Sequence, residues 1–176
     1  GEPPLGLEEA AKAISYATEQ VFALRTRGDD AKLGRMKEIA RTLDQAPFLK
    51  LLRPPFELRP FMLALRRRFR LGLATNRSGT VPALVEHLDL ADIFDAIACA
   101  RDPVRPKPAP DILNLCIERA AVPRERAVYV GDSPIDRVAA LEAGVHFIAV
   151  GPRVEHVRRI ATIADLPAAL ERMTAE

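Results

Sequence analysis

The stretch Ala127-Val128-Tyr129-Val130-Gly131-Asp132-Ser133-Pro134-Ile135-Asp136 decides how this chain is read. Val128 and Val130 are β-branched residues in an apolar run and predict a buried strand over Ala127–Val130. Gly131 lets the backbone turn sharply where that run stops. Ser133 then reads as a helix N-cap, with Pro134 at the first helical position and Asp136 three residues past the cap. The helix is expected to run to about Ala143 and to stop at Gly144. Asp132 thereby falls at the carboxyl end of a strand, where ligands bind in open α/β sheets. Two carboxylates there suit a hard cation such as Mg²⁺, although a plain capping box and a polar turn would leave the same pattern.

Working outward, the chain divides into two rhythms. Residues 1–56 read as helical throughout, with one stripe over Ile14, Ala17, Val21 and Leu24 after Glu2-Pro3-Pro4. Arg27-Gly28-Asp29-Asp30 is a turn. A second helix follows over Leu33, Met36, Ile39, Ala40 and Leu43, then a short third at Phe48–Leu52, ended by Pro54-Pro55. From residue 57 to 176 helices and strands alternate, which implies a parallel sheet. The expected order is helix Leu58–Phe69, strand Leu71–Thr75, helix Val81–Leu88 capped by Thr80, and strand Ala96–Ala100. Helix Asp111–Ala121 and the strand Ala127–Val130 come next, then helix Pro134–Ala143, strand His146–Val150 and helix Leu166–Met173.

Composition narrows the classes. Lys and Arg total 26 against 24 Asp and Glu, a net charge of +2, which is no signature of a nucleic-acid binder. The basic run Arg66-Arg67-Arg68-Phe69-Arg70 ends a helical pattern, where positive charge is favourable. No apolar run approaches the roughly 20 residues that span a bilayer, and no signal-peptide pattern stands at the start. Cys99 and Cys116 fall in apolar settings far from any CxxC spacing, so buried free thiols and a cytoplasmic location are expected. His87, His146 and His156 show no metal-ligand spacing.

Two further sites stand at strand ends. Thr75-Asn76 offers a hydroxyl and an amide just ahead of a helix, donors suited to an anion, though such a pair also makes an ordinary turn. Lys107 is held among prolines in Arg105-Pro106-Lys107-Pro108-Ala109-Pro110, which stiffens the loop around one ammonium group.

In this order, Leu73-Ala74-Thr75-Asn76, Lys107-Pro108-Ala109-Pro110-Asp111 and Val130-Gly131-Asp132-Ser133-Pro134-Ile135-Asp136 resemble the second, third and fourth motifs of the haloacid dehalogenase (HAD) superfamily, in its phosphoglycolate-phosphatase-like branch. The resemblance covers roughly residues 56–152. It implies an α/β, HAD-like Rossmannoid fold of three layers around a parallel sheet. Residues 1–56 would be a helical cap-like subdomain and 57–176 the core. It further implies that Thr75 and Asn76 hold a transferring phosphoryl group and Lys107 stabilises its charge, while Asp132 and Asp136 ligate Mg²⁺. The implied substrate is a small phosphorylated metabolite, hydrolysed through an aspartyl-phosphate.

The family's first motif, a strand ending in Asp-x-Asp that carries the nucleophile, does not occur in these 176 residues. Its strand is central in the family's sheet, so the resemblance implies a sheet without its first strand. A chain of this kind is expected to be inactive alone, as a fragment or variant whose nucleophile lies elsewhere. The alternative is a non-catalytic pseudo-enzyme that binds phosphate, metal or a protein partner. In either case self-association or a donated strand would fill the sheet. The order Thr, Lys, acidic pair also excludes a phosphorylation receiver domain, and Gly131-Asp132 lacks the glycine spacing of a dinucleotide fingerprint.

Overall fold

In the computed structural model the described residues are 6–43, 46–54 and 56–174. Glu2, Pro3, Pro4, Asp44 and Pro55 lie outside them, as does the side chain of Ile14. Helices α1 (Leu7–Ser15), α2 (Thr18–Thr26), α3 (Asp30–Thr42) and α4 (Ala46–Leu49) precede any strand. Then come α5 (Leu58–Arg66), β1 (Gly72–Thr75), α6 (Val81–His87), β2 (Ala96–Cys99) and α7 (Asp111–Ala120). The chain ends with β3 (Val128–Gly131), α8 (Pro134–Ala143), β4 (His146–Val150), β5 (Arg159–Ile160) and α9 (Leu166–Thr174).

The expected first helical stripe is broken in two. Ala17 is extended (φ −65°, ψ 148°), and its N–H donates to the Gln20 side chain at 2.8 Å. That hydrogen bond starts α2 afresh and leaves the carbonyl of Ser15 free to point elsewhere. The turn at Arg27-Gly28 uses left-handed backbone at both residues (φ 49° and 89°), and Asp29 caps α3 by accepting from the Lys32 N–H. Thr80 makes no capping bond to α6; its hydroxyl accepts from Arg77 instead. Strand β5 was not legible, because two residues are too few to show alternation.

All ladders are parallel. β1 pairs with β2 from Gly72↔Ala96 to Thr75↔Cys99, and β3 pairs with β4 from Val128↔His146 to Gly131↔Ala149. β5 extends the second ladder at Ala149↔Arg159. Among the described residues the two ladders are not joined: one sheet is β1-β2 and the other β3-β4-β5.

Side-chain alternation shows that both ladders belong to one layer. Leu71, Val128, Val130 and Ile148 pack with Leu65 of α5 and Leu166 of α9. Ala74, Tyr129, Phe147 and Ala149 face the other way, against α7 and α8. Leu73 and Ile97 pack with α6 on the α5 side, whereas Ala96 and Ala98 meet Ile112 and Cys116 of α7. Parallel strands covered on both faces favour apolar residues, and polar ones occur here only at strand ends, at Thr75, His146 and Arg159.

The candidate active site

The site is built where β1 and β3 end. Gly131 closes β3, and Ser133 starts α8 with the capping box that the sequence suggested. The Ser133 N–H and hydroxyl donate to Asp136 Oδ2 at 3.1 and 2.6 Å, and the Asp132 N–H reaches the same oxygen at 3.3 Å. No side chain fits at residue 131: a Cβ there would lie 2.5 Å from that of Asp136. Glycine is required for this close approach rather than for an unusual backbone angle.

Lys107 enters from the loop ahead of α7 and is buried beside Asp136. Its Nζ donates to Asp136 Oδ1 at 2.7 Å, to the Tyr129 hydroxyl at 2.7 Å and to the Ala74 carbonyl at 3.3 Å. An ammonium has three protons, so all of them are placed. Burial alone would push the Asp136 carboxyl up. The Lys107 charge and hydrogen bonds from Lys107, Ser133 and Tyr129 outweigh it and hold the group below its ordinary value. Burial, then the charge of Asp136, pushes the Tyr129 phenol well above its usual range.

Asn76 is a brace. Its side-chain oxygen accepts from the Lys107 N–H at 2.8 Å, and its amide donates to the Lys107 carbonyl at 2.9 Å and to the Ser15 carbonyl at 3.2 Å. Both amide protons are used, so Asn76 has no side-chain donor left for the phosphoryl group assigned to it from the resemblance. It fixes the Lys107 loop and ties the break between α1 and α2 to the end of β1. Gln20 adds a donor to the same Lys107 carbonyl at 3.3 Å. Thr75 differs: its hydroxyl oxygen accepts from the Arg77 N–H at 3.1 Å, which leaves its own proton to donate.

Thr75, Asn76, Lys107, Asp132 and Asp136 all line one polar pocket of about 380 Å³. The structure adds residues that the sequence did not single out. Arg77 and Arg153 join the lining, with Ser15, Tyr16 and Thr18 from the N-terminal helices. Arg77 stands directly after the Thr75-Asn76 strand end, a position that could have drawn notice. Arg153 follows the Gly151-Pro152 turn beyond β4 and pairs with the Asp132 carboxylate. Three cations against two carboxylates leave one positive charge in excess at this pocket. Lys107 balances Asp136 and Arg153 balances Asp132, so Arg77 carries the excess.

The fit to a divalent cation is partial. Mg²⁺ is held by one or two carboxylates together with waters and phosphate oxygens. Asp132 supplies one carboxylate, its side chain 55% exposed at the pocket wall. Both oxygens of Asp136 already receive donors from Lys107, Tyr129 and Ser133. Among the described residues no group of three or more His, Cys, Asp or Glu side chains is gathered as a metal site.

An α/β layer with a polar pocket beyond the ends of its parallel strands is the class of fold defined here, and comparison with known proteins gives the family. Residues 3–150 match the family of haloacid dehalogenase-like hydrolases, and the chain belongs to it. It is 40% identical over 75 residues to a phosphoglycolate phosphatase of Escherichia coli, a stretch covering 42% of this chain and 30% of that protein. The similar enzyme of Rhodospirillum rubrum is 38% identical over 80 residues, covering 45% of this chain and 33% of its own length. The matched stretches thus span about a third of these curated relatives. Among solved structures, CbbY of Rhodobacter sphaeroides in complex with phosphate superimposes with a TM-score of 0.70 at 27% identity, covering 97% of this chain and 85% of that one. A HAD-superfamily hydrolase of Geobacter sulfurreducens gives 0.71 at 25% identity, covering 97% and 82%. Among the described residues no helix is long and apolar enough to cross a membrane.

Proposed function

We propose that this chain is the body of a Mg²⁺-dependent phosphatase that hydrolyses a small phosphomonoester through an aspartyl-phosphate. The observation that carries the reading is the convergence of Thr75, Lys107 and Asp132, with Arg77 and Arg153, on one pocket of about 380 Å³. The phosphoglycolate phosphatase relatives and the phosphate-bound CbbY support a phosphatase reading at the level of the family. Positioning and charge neutralisation supply most of the catalysis of phosphoryl transfer, and this pocket offers both.

In this reading the Thr75 hydroxyl and the Arg77 guanidinium hold the phosphoryl oxygens. Lys107, fixed by Asn76, sets the positive potential behind them. Asp132 would hold Mg²⁺, with Asp136 behind it through the Asp132 N–H, and the bound cation would supply charge neutralisation for the phosphoryl group. A carboxylate oxygen attacks phosphorus, the ester P–O bond breaks, and the leaving alkoxide oxygen takes a proton from water. Water then cleaves the acyl phosphate, returning the carboxylate and inorganic phosphate.

Among the described residues this reading leaves no pocket acid for that attack, because Asp136 is paired with Lys107 and Asp132 is assigned to the cation. It therefore assigns no acid among the described residues as the nucleophile. Incubating this polypeptide with Mg²⁺ and p-nitrophenyl phosphate tests the reading. The expected result is no turnover alone, with turnover on adding a segment that carries an aspartate after an apolar strand. Turnover by residues 1–176 alone, lost in Asp132→Asn, would show that the nucleophile is present after all. Absence of turnover under every condition would favour a non-catalytic phosphate-binding module.

A further inference from the structure

The two acids of the polar pocket are paired with cations in different settings. The Lys107–Asp136 pair is buried, and taking either partner away would strand a charge, so that pair is fixed. Arg153 and Asp132 have side chains 50% and 55% exposed, where water screens a pair and replaces it at little cost. Asp132 is thus the pocket carboxylate whose partner can be exchanged. The chain around Arg153 is anchored on both sides. Gly151 takes a left-handed backbone (φ 73°), and its N–H donates to the Ile160 carbonyl at 2.9 Å. Val154 is buried in the core cluster of Ala139 and Phe147, and the His156 ring meets Phe147 edge to face at 5.2 Å. These anchors leave the long Arg153 side chain, and not its loop, as the part free to change partner.

Charge sets the direction of the exchange. Arg77, Lys107 and Arg153 against Asp132 and Asp136 leave one positive charge in excess at the pocket. A divalent cation on Asp132 would raise that excess to three and set two like charges, the cation and Arg153, beside one carboxylate. A phosphoryl dianion returns the excess to one. It also offers the guanidinium a bidentate acceptor in place of the carboxylate it gives up. Cation and anion therefore favour each other at this pocket, and Arg153 is the group that passes between them.

We infer that Arg153 is an exchange residue: it pairs with Asp132 in the free protein and passes to the phosphoryl oxygens when Asp132 takes a divalent cation. The exchange makes the guanidinium a competitor of the cation without the anion, and an anion ligand with it. It couples the two binding events, so that each ligand raises the affinity of the other by the same factor. The inference rests on the phosphatase reading in one respect, that Asp132 ligates the cation, and it is read from binding and not from turnover.

The test is calorimetric titration of the full chain with Mg²⁺, without and with saturating inorganic phosphate, for the parent, Arg153→Gln, Arg153→Lys and Asp132→Asn. Without phosphate, Arg153→Gln should bind Mg²⁺ about fivefold more tightly than the parent, because the competing pair is gone. Arg153→Lys keeps the charge and should stay within about twofold of the parent. With phosphate the advantage of Arg153→Gln should vanish or reverse, since the parent then spends its guanidinium on the anion. The Arg153 Nε–H signal in nitrogen-15 NMR, identified by its loss in Arg153→Gln, should move when Mg²⁺ and phosphate are added together. Equal Mg²⁺ affinity of parent and Arg153→Gln without phosphate, or the same gap between them at both phosphate levels, would overturn the inference and leave Asp132 as the cation's ligand. Mg²⁺ binding that is absent throughout, or that Asp132→Asn leaves unchanged, would overturn the assignment of Asp132 and the inference with it.

Discussion

Lys107 Nζ lies 2.7 Å from Asp136 Oδ1, and the two side chains are only 9% and 8% exposed. A buried ion pair adds modestly to stability while intact, but removing one member strands a charge. Lys107→Met should therefore destabilise the fold by about 3–5 kcal/mol in urea unfolding. The double variant Lys107→Met, Asp136→Asn should regain much of that loss. Additive losses in the double variant would show that the pair is not coupled as described.

Gly131 and Asp136 touch so closely that a methyl group at residue 131 would overlap the Asp136 side chain at 2.5–2.9 Å. Gly131→Ala should cost about 1–3 kcal/mol as α8 is pushed away. Ser133→Ala should cost about 1 kcal/mol through its lost cap. If Gly131→Ala melts no lower than the parent, the close approach is not present in solution.

Asn76 closes three hydrogen bonds to Lys107 and Ser15, so Asn76→Ala removes the partner of the Lys107 N–H and of the Ser15 carbonyl, while Gln20 still reaches the Lys107 carbonyl. The expected loss is about 1–3 kcal/mol per group left unsatisfied. Amide exchange around Lys107 should also accelerate in this variant. Unaltered exchange there would mean that prolines alone hold the loop.

Gly72 faces Cys116: a Cβ at residue 72 would sit 2.7 Å from the Cys116 Sγ. Gly72→Ala should destabilise by about 1–3 kcal/mol, and Cys116→Ala should relieve part of that in a double-mutant cycle. Burial pushes the Cys116 thiol up to about 11, so it should resist thiol reagents at neutral pH until the protein unfolds. Rapid labelling of native Cys116 would contradict this packing.

Arg59 on α5 holds Asp92 with two hydrogen bonds, at 2.7 and 3.0 Å. The hydrogen bond from Arg59 lowers the Asp92 carboxyl from 3.8 to about 2. A lowered carboxyl contributes stability that is complete above the unfolded value and fades as pH falls through the folded one. The melting-temperature gap between the parent and Asp92→Asn should thus be constant near neutral pH, shrink below about 3.8 and close near about 2. A gap that persists at pH 2 would place its origin elsewhere.

The sequence by itself determined what neighbouring residues decide. The capping box of Ser133 and Asp136, the stop at Gly144 and the alternation of strands with helices were legible because each depends on contacts a few residues apart. The three motifs also marked the strand ends that meet at the pocket. Tertiary structure alone decided how the charges are spent. Lys107 closes on Asp136 across 29 residues, Asn76 ties to Ser15 across 61, and Arg153 reaches Asp132 across 21. Such pairings follow from which strands lie side by side, and no local spacing encodes them. The broken helix at Ala17 belongs to the same class, since the freed Ser15 carbonyl finds its partner in Asn76, directly after β1. The slot between β1 and β3 is likewise a property of the assembled layer, created by two edges that only the fold brings face to face.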